Sequence, residues 1–333
     1  MLRRIPSLVA TLYLTVATVQ AAGLRLIDIP ADREGPAMTG AVWSPCVAPA
    51  ADVIVGNVAL PGVKDCPIAA DKLPLVVFSH GRRGSFRGNH DTAEVLADAG
   101  FLVAAINHPG DNSFDASQTD DLSVPIERPA DIKRLTDFML GAWPEAAKID
   151  RERIGLFGFS RGGYTGLVVI GGNPDFRAGL AYMCPPETTT RKCEQIRDNK
   201  VPAEPLVHDP RIKAAVIVDP IFAIFFSRDG LKGVAIPVHL WRSALGGDGV
   251  VPEAVAALEG RFSARPDYRV VANSSHFSFA APCTSEQAKA SSVFCFDPPG
   301  FDRTTFHKEF DAEVLSFLRK HLAEAAKPGE GMR

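Results

Sequence analysis

The sequence contains no Lys/Arg-rich run, and its formal charge is only −3 over 333 residues. Nucleic acid and anionic membrane surfaces both call for concentrated positive charge, so neither is expected as a partner. No C-x-x-C pair and no His/Cys cluster has the spacing of a zinc site. Neither a linker nor an internal repeat divides the chain, whose length suits one large domain as well as two small ones. We expect one domain over residues 22–326, followed by a flexible tail at 327–333.

Apolar runs long enough to cross a membrane are also missing. Met1-Leu2-Arg3-Arg4 precedes a mostly apolar stretch, Ile5 to Val19, which falls short of the about 20 residues a span requires. A basic start, an apolar core of this length and Val19-x-Ala21 fit an export signal cleaved after Ala21. The paired arginines lack the rest of a twin-arginine pattern, and no cysteine follows the cut to accept lipid. The sequence therefore predicts an exported protein, periplasmic or secreted, without a stable membrane anchor. Losing residues 1–21 removes Arg3 and Arg4 and takes the formal charge from −3 to −5, still mild.

Six cysteines in an exported chain point to disulfides. They fall as neighbours, Cys46 with Cys66, Cys184 with Cys193, and Cys283 with Cys295. That pairing is expected because each pair brackets a short loop-like stretch, although six cysteines permit many others.

Residues 24–29 nearly alternate apolar and polar, and Val53 to Val55 is β-branched; together they suit an antiparallel N-terminal meander. Leu75 to Ser79 and Phe101 to Ile106 are apolar runs of the kind buried on both faces. Ala214 to Val218, Pro237 to Trp241 and Tyr268 to Val271 continue the strand series. Helical patterns cover His90 to Ala99, Ile126 to Leu140, Pro252 to Phe262 and Thr304 to Ala325. Residues 172–210 are polar and Pro-rich and suit a lid or cap inserted over a site. Strands alternating with helices predict an α/β fold with a mostly parallel central sheet wrapped on both faces.

Gly158-Phe159-Ser160-Arg161-Gly162 lies between the strand-like Arg153 to Phe157 and the helix-like Tyr164 to Ile170. A bare G-x-S-x-G is a weak signal in a chain with 28 glycines. In strand–turn–helix context it matches the nucleophile elbow of α/β-hydrolases. A serine hydroxyl needs a base to take its proton and an acid to orient that base, in the chain order Ser, acid, His. Of the eight histidines, His276 follows the last strand in a small-residue loop, Asn273-Ser274-Ser275-His276-Phe277, where the base belongs. Two aspartates follow sheet strands: Asp219, after Ala214 to Val218, and Asp248, in Gly246-Gly247-Asp248-Gly249. Either position suits the acid, with a slight lean to Asp219 and Asp248 as the alternative. The backbone N–H after the nucleophile, on Arg161, and one from Ser79-His80-Gly81-Arg82, on Arg82, are the expected oxyanion donors.

Leu73-Pro-Leu-Val-Val-Phe-Ser-His-Gly81, Gly84-Ser-Phe-Arg87, Ala99-Gly-Phe-Leu-Val-Ala-Ala-Ile-Asn-His108 and Ser275-His-Phe-Ser-Phe279 resemble the plasma-type platelet-activating-factor acetylhydrolase family and its bacterial dienelactone-hydrolase-like relatives. The resemblance covers roughly residues 70–110, 150–170 and 212–280. It implies a Ser160–Asp219–His276 triad, an oxyanion hole from the Arg82 and Arg161 amides, and no metal or organic cofactor. The expected activity is hydrolysis of a carboxylic ester, small-molecule or lipid, through an acyl-enzyme. A lactonase or thioesterase using the same residues is the alternative enzyme, and a hydrolase-fold binding module the alternative outside catalysis. Arg161 in the elbow, the cysteine-bearing insertion and the Cys283–Cys295 loop depart from that family's pattern. Asp248-x-x-x-Pro252 instead resembles the acid loop of dienelactone hydrolases.

Overall fold

The computed structural model describes residues 21–49, 51–55, 58–289 and 293–323. Apart from Ala21, the expected export signal lies outside them, as does the expected tail. Ten strands form one sheet. They are β1 (Gly23–Ile29), β2 (Met38–Ser44), β3 (Ala51–Val55), β4 (Val58–Lys64), β5 (Leu73–Ser79), β6 (Leu102–Ile106), β7 (Ile149–Phe159), β8 (Ile212–Val218), β9 (Val238–Ser243) and β10 (Asp267–Val271). Their order across the sheet is β10-β9-β8-β7-β5-β6-β2-β1-β4-β3. From β6 to β10 every neighbouring pair is parallel.

Every residue of β5 and β6 is buried, because helices cover both sheet faces. Alternation along a strand sends Leu75 and Val77 to one face, where Ile132, Leu135 and Leu167 pack, and Val76 and Phe78 to the other, with Leu96, Phe310 and Val314. The first face carries the helices Ser123–Leu140, Arg161–Val169 and Pro252–Glu259; the second carries His90–Asp98 and Arg303–His321. The carboxyl ends of the parallel strands all open to one edge, which is where such sheets place their sites.

The N-terminal strands are not the simple meander expected. β1 pairs antiparallel with β2 but parallel with β4, which in turn pairs antiparallel with β3. Strand β4 brings Pro61-Gly62 into the sheet, a dipeptide that reads locally as a turn. A disulfide joins Cys46, just after β2, to Cys66, just after β4. Residues 172–210 contain the short helices Leu180–Met183 and Arg191–Arg197, joined by a Cys184–Cys193 disulfide. They dock on the 111–122 loop, through Lys192 N–H to the Asp120 carbonyl (2.9 Å) and the Arg191–Asp121 ion pair (2.7 Å). Among the described residues, no helix is long and apolar enough to cross a membrane.

Candidate active site

Strand β7 ends at Phe159 and the helix Arg161–Val169 starts two residues later, leaving Ser160 as the whole of the turn. Its backbone sits at φ 59°, ψ −115°, a costly conformation for a residue with a side chain. The surroundings over-determine it. The Ser160 N–H donates to the Val218 carbonyl (2.9 Å), and its carbonyl accepts the Tyr164 and Ile221 amides (3.1 and 3.2 Å). A Cβ at Gly158 would lie 2.2 Å from the Gly162 carbonyl oxygen, and one at Gly162 only 1.8 Å from that of Ser79. Both glycines are required for strand, turn and β5 to approach this closely.

His276 opens a 3₁₀ turn, His276–Phe279, shortly after β10. Ser275 and Ser278 close a reciprocal capping box around it, and the His276 N–H donates to the Gly246 carbonyl (2.8 Å). The buried ring stacks on Phe159 at 4.8 Å. Its Nε2 lies 2.8 Å from Ser160 Oγ and its Nδ1 2.7 Å from Asp219 Oδ2.

Asp219 is fully buried and has a left-handed φ of 43° that turns the chain out of β8. Its Oδ1 accepts the Ser243 N–H (2.9 Å) and its Oδ2 also accepts the Ser243 hydroxyl (2.8 Å). Ser243 Oγ accepts the Gly246 N–H (3.1 Å) in turn, linking the acid to the loop that holds the His276 backbone. Asp248 stands apart. It is exposed in the Gly247–Val250 turn at φ 47° and borders the cavity, while His276 Nδ1 faces Asp219.

Arg161 is the first residue of its helix, so its amide has no partner within the helix. The loop His80–Arg82 passes against the serine: a Cβ on Gly81 would lie 3.1 Å from Ser160 Cβ. The Gly81 carbonyl accepts from His80 Nδ1 (2.7 Å) and from the Gly84 N–H (3.1 Å). In a trans peptide the next N–H points the opposite way, so the Arg82 amide faces away from His80. His80 Nε2 accepts the His108 N–H (3.1 Å), which places the ring proton on Nδ1. Burial, with the Arg128 charge, lowers this imidazole to about 3, so it is neutral.

A buried charge cluster braces both loops from behind. Asp111 accepts Arg128 Nη1 (2.6 Å) and pairs with Arg161 Nη1 (2.8 Å), and Arg128 Nη2 donates to the His80 carbonyl. Burial alone would raise the Asp111 carboxyl; the charges of Arg128 and Arg161 overcome that and hold it at about 2. The Arg161 side chain is therefore occupied inside the protein, also donating to the Thr119 carbonyl (2.9 Å). Its charge ties the 111–122 loop to the elbow.

Over Ser160 lies a cavity of about 360 Å³. Its largely apolar lining includes Leu60, Phe159, Phe277, Phe294 and both cysteines of the Cys283–Cys295 disulfide. No residue of 172–210 lines it, so the segment expected to roof the site lies elsewhere, and Phe277, residues 280–283, Phe294 and Cys295 line the cavity instead.

Among the described residues, one group of side chains has metal-capable spacing: Asp91, His307 and Asp311, with ligand atoms within 4.8 Å of one another. His307 Nδ1 lies 2.6 Å from Asp91 Oδ2 and its Nε2 3.0 Å from the Ser278 carbonyl. A carbonyl and a carboxylate both accept, so both ring nitrogens carry protons and neither offers a lone pair to a metal.

Sequence reasoning did not single out Ser243 or Asp111, and it passed over Arg128 and the His80 side chain. Only the His-Gly pair after β5 carried a local signal, and it pointed to the turn, not to the ring.

The mostly parallel sheet wrapped by helices, with the strand–serine–helix elbow at the carboxyl ends, is an α/β-hydrolase fold. A ferulic acid esterase from Streptomyces cinnamoneus superposes with a TM-score of 0.62 at 20% identity, over 94% of this chain and 93% of its own. An acylaminoacyl peptidase from Pyrococcus horikoshii superposes with a TM-score of 0.55 at 14% identity, over 95% of this chain and 44% of its own. Residues 29–133 match the family of platelet-activating factor acetylhydrolase, isoform II, and residues 87–194 match the prolyl oligopeptidase family. In sequence the chain is similar to platelet-activating factor acetylhydrolases of Canis lupus familiaris, 28% identical over 171 residues, and Cavia porcellus, 23% identical over 171 residues. These alignments cover 38% of this chain and 38% of the canine protein, and 39% of each for that of Cavia, so the chain spans well under half the length of either relative.

Proposed function

We propose that the protein is a serine hydrolase of carboxylic esters, acting through Ser160, His276 and Asp219 with the Arg82 and Arg161 amides as oxyanion donors. One observation carries this reading: an unbroken relay from Asp219 Oδ2 to His276 Nδ1 at 2.7 Å and from His276 Nε2 to Ser160 Oγ at 2.8 Å, beneath an apolar cavity. Asp219 holds the ring with its proton on Nδ1, which leaves Nε2 free to accept the serine proton. Ser160 Oγ then attacks the ester carbonyl, and the two amides take the charge that develops on its oxygen. The imidazolium protonates the departing alkoxide, which leaves as the alcohol, and the acyl group stays on Ser160. His276 next deprotonates water, whose attack on the acyl-enzyme releases the acid and restores the serine.

The names of the similar proteins, acetylhydrolases and a ferulic acid esterase, support an ester of a small molecule or lipid as substrate. The three disulfides support export to an oxidising compartment, periplasmic or extracellular, in line with the export signal expected from the sequence. We assign the described residues to a single catalytic domain, since all ten strands share one sheet.

The test is hydrolysis of p-nitrophenyl acetate by the mature protein and by Ser160→Ala. The variant should lose ~10⁴-fold or more in kcat with its melting temperature little changed. Wild-type turnover in the purified variant would end this reading.

A further inference from the structure

Beyond the His276 turn, residues 280–283 and 294–295 border the cavity and are fastened at several points. The Ala281 N–H donates to the Gly88 carbonyl (3.0 Å), on the loop that follows β5. Cys283 and Cys295, 12 residues apart, are bonded with Cα atoms 5.7 Å from each other, and both face the cavity. Phe294, beside the second cysteine, packs edge-on against Phe277 at 4.6 Å, and Phe277 lies 5.3 Å from the His276 ring. Arg303 secures the outer side: its Nη1 donates to the Phe294 carbonyl (2.7 Å) and its Nε to Asp297 (2.9 Å). Asp297 also accepts the Ser278 hydroxyl (2.9 Å), one turn from the base.

Cys295, with Phe294 beside it, is thus tied to Cys283 by a covalent bond and to the turn that carries His276 through Phe277 and Asp297. The cavity, about 360 Å³, is bordered on this side by Phe294 and the Cys283–Cys295 bond. Val58 and Leu60 of strand β4 also line the cavity. We propose that the Cys283–Cys295 bond, by pinning Phe294 over the cavity, sets the upper limit on substrate length. The protein then selects compact, short-to-medium-chain esters and rejects long-chain lipids. This inference rests on the esterase reading above.

The experiment is a series of p-nitrophenyl esters from acetate to palmitate, with kcat/KM measured for the wild type, Cys283→Ser/Cys295→Ser and Phe294→Ala. In the wild type, kcat/KM should climb up to about fourfold per buried methylene and then fall once the chain meets Phe294. Both variants should move the maximum to longer chains. Room for two more methylenes would raise the long-to-short ester ratio by roughly 15-fold. An unchanged profile in the folded double variant would overturn the proposal. If the double variant does not fold, an unchanged profile in Phe294→Ala, with the disulfide intact, does the same. A wild type that cleaves every ester without a length limit refutes the inference alone. A wild type that cleaves none refutes the esterase reading and takes the inference with it.

Discussion

Replacing Asp219 by asparagine keeps the shape of the side chain and changes only which atoms donate. In the native site Oδ1 accepts the Ser243 backbone N–H at 2.9 Å, while Oδ2 accepts His276 Nδ1 at 2.7 Å and the Ser243 hydroxyl at 2.8 Å. The Ser243 N–H is a fixed donor, so the asparagine oxygen must take the Oδ1 position. The amide NH₂ then faces His276 and can donate to Nδ1 only if the ring proton moves to Nε2. A ring protonated at Nε2 cannot accept the Ser160 proton. The expected loss is ~10⁴-fold in kcat, as for a base held in the wrong tautomer, or about 5 kcal/mol of transition-state stabilisation. Asp248→Asn changes an exposed turn residue and should stay within about twofold, the range of ordinary surface substitutions. Both variants are assayed on p-nitrophenyl acetate at one pH beside the wild type, with thermal melting to confirm folding. A near-normal Asp219→Asn beside an inactive Asp248→Asn would refute the assignment of the acid.

His80→Ala should remove one of the two bonds that hold the Gly81 carbonyl, loosen the Arg82 amide and lower kcat by up to roughly 10²-fold, the full loss of an oxyanion donor being the limit; unaltered kcat in the folded variant would show that the His80 ring does not position that amide. Burial and the neighbouring Asp91 charge raise Asp311 to about 7, so the native state holds a proton there that the unfolded chain releases near pH 4. Its contribution to stability therefore declines as pH rises from about 4 to 7. Burial also raises Asp131 to about 7 and adds a slope of the same sign. Burial disfavours charge on His307, but its bond to Asp91 outweighs this and raises the ring, whose contribution is lost as pH climbs through that raised value. Melting temperatures across pH 4 to 8 should fall less steeply for Asp311→Asn than for the wild type; equal slopes would contradict the buried, protonated carboxyl.

The central strands were legible because burial on both faces leaves an uninterrupted apolar run, as in β5, β6 and β8. Strands β2 and β4 were not. Gly40 in β2 is needed because a Cβ there would lie 2.2 Å from the Ala105 carbonyl oxygen, and Pro61-Gly62 in β4 mimics a turn. Ser160 and His276 stood out because chain order and local context single them out. The choice between Asp219 and Asp248 is a matter of distance, since both follow strands and both have a left-handed φ. The Asp111–Arg128–Arg161 cluster joins a loop, a helix and the elbow, so no local pattern announces it. Residues 172–210 have the composition of a lid, but composition does not say where a segment docks.

Active-site titration with a fluorophosphonate tests the central claim most directly, because the reagent bonds only to a serine activated by its base. One equivalent should bind per chain, peptide mapping should place it on Ser160, and ester hydrolysis should fall in proportion to labelling. Hydrolysis that continues with Ser160 fully modified, or labelling confined to another residue, would contradict the account.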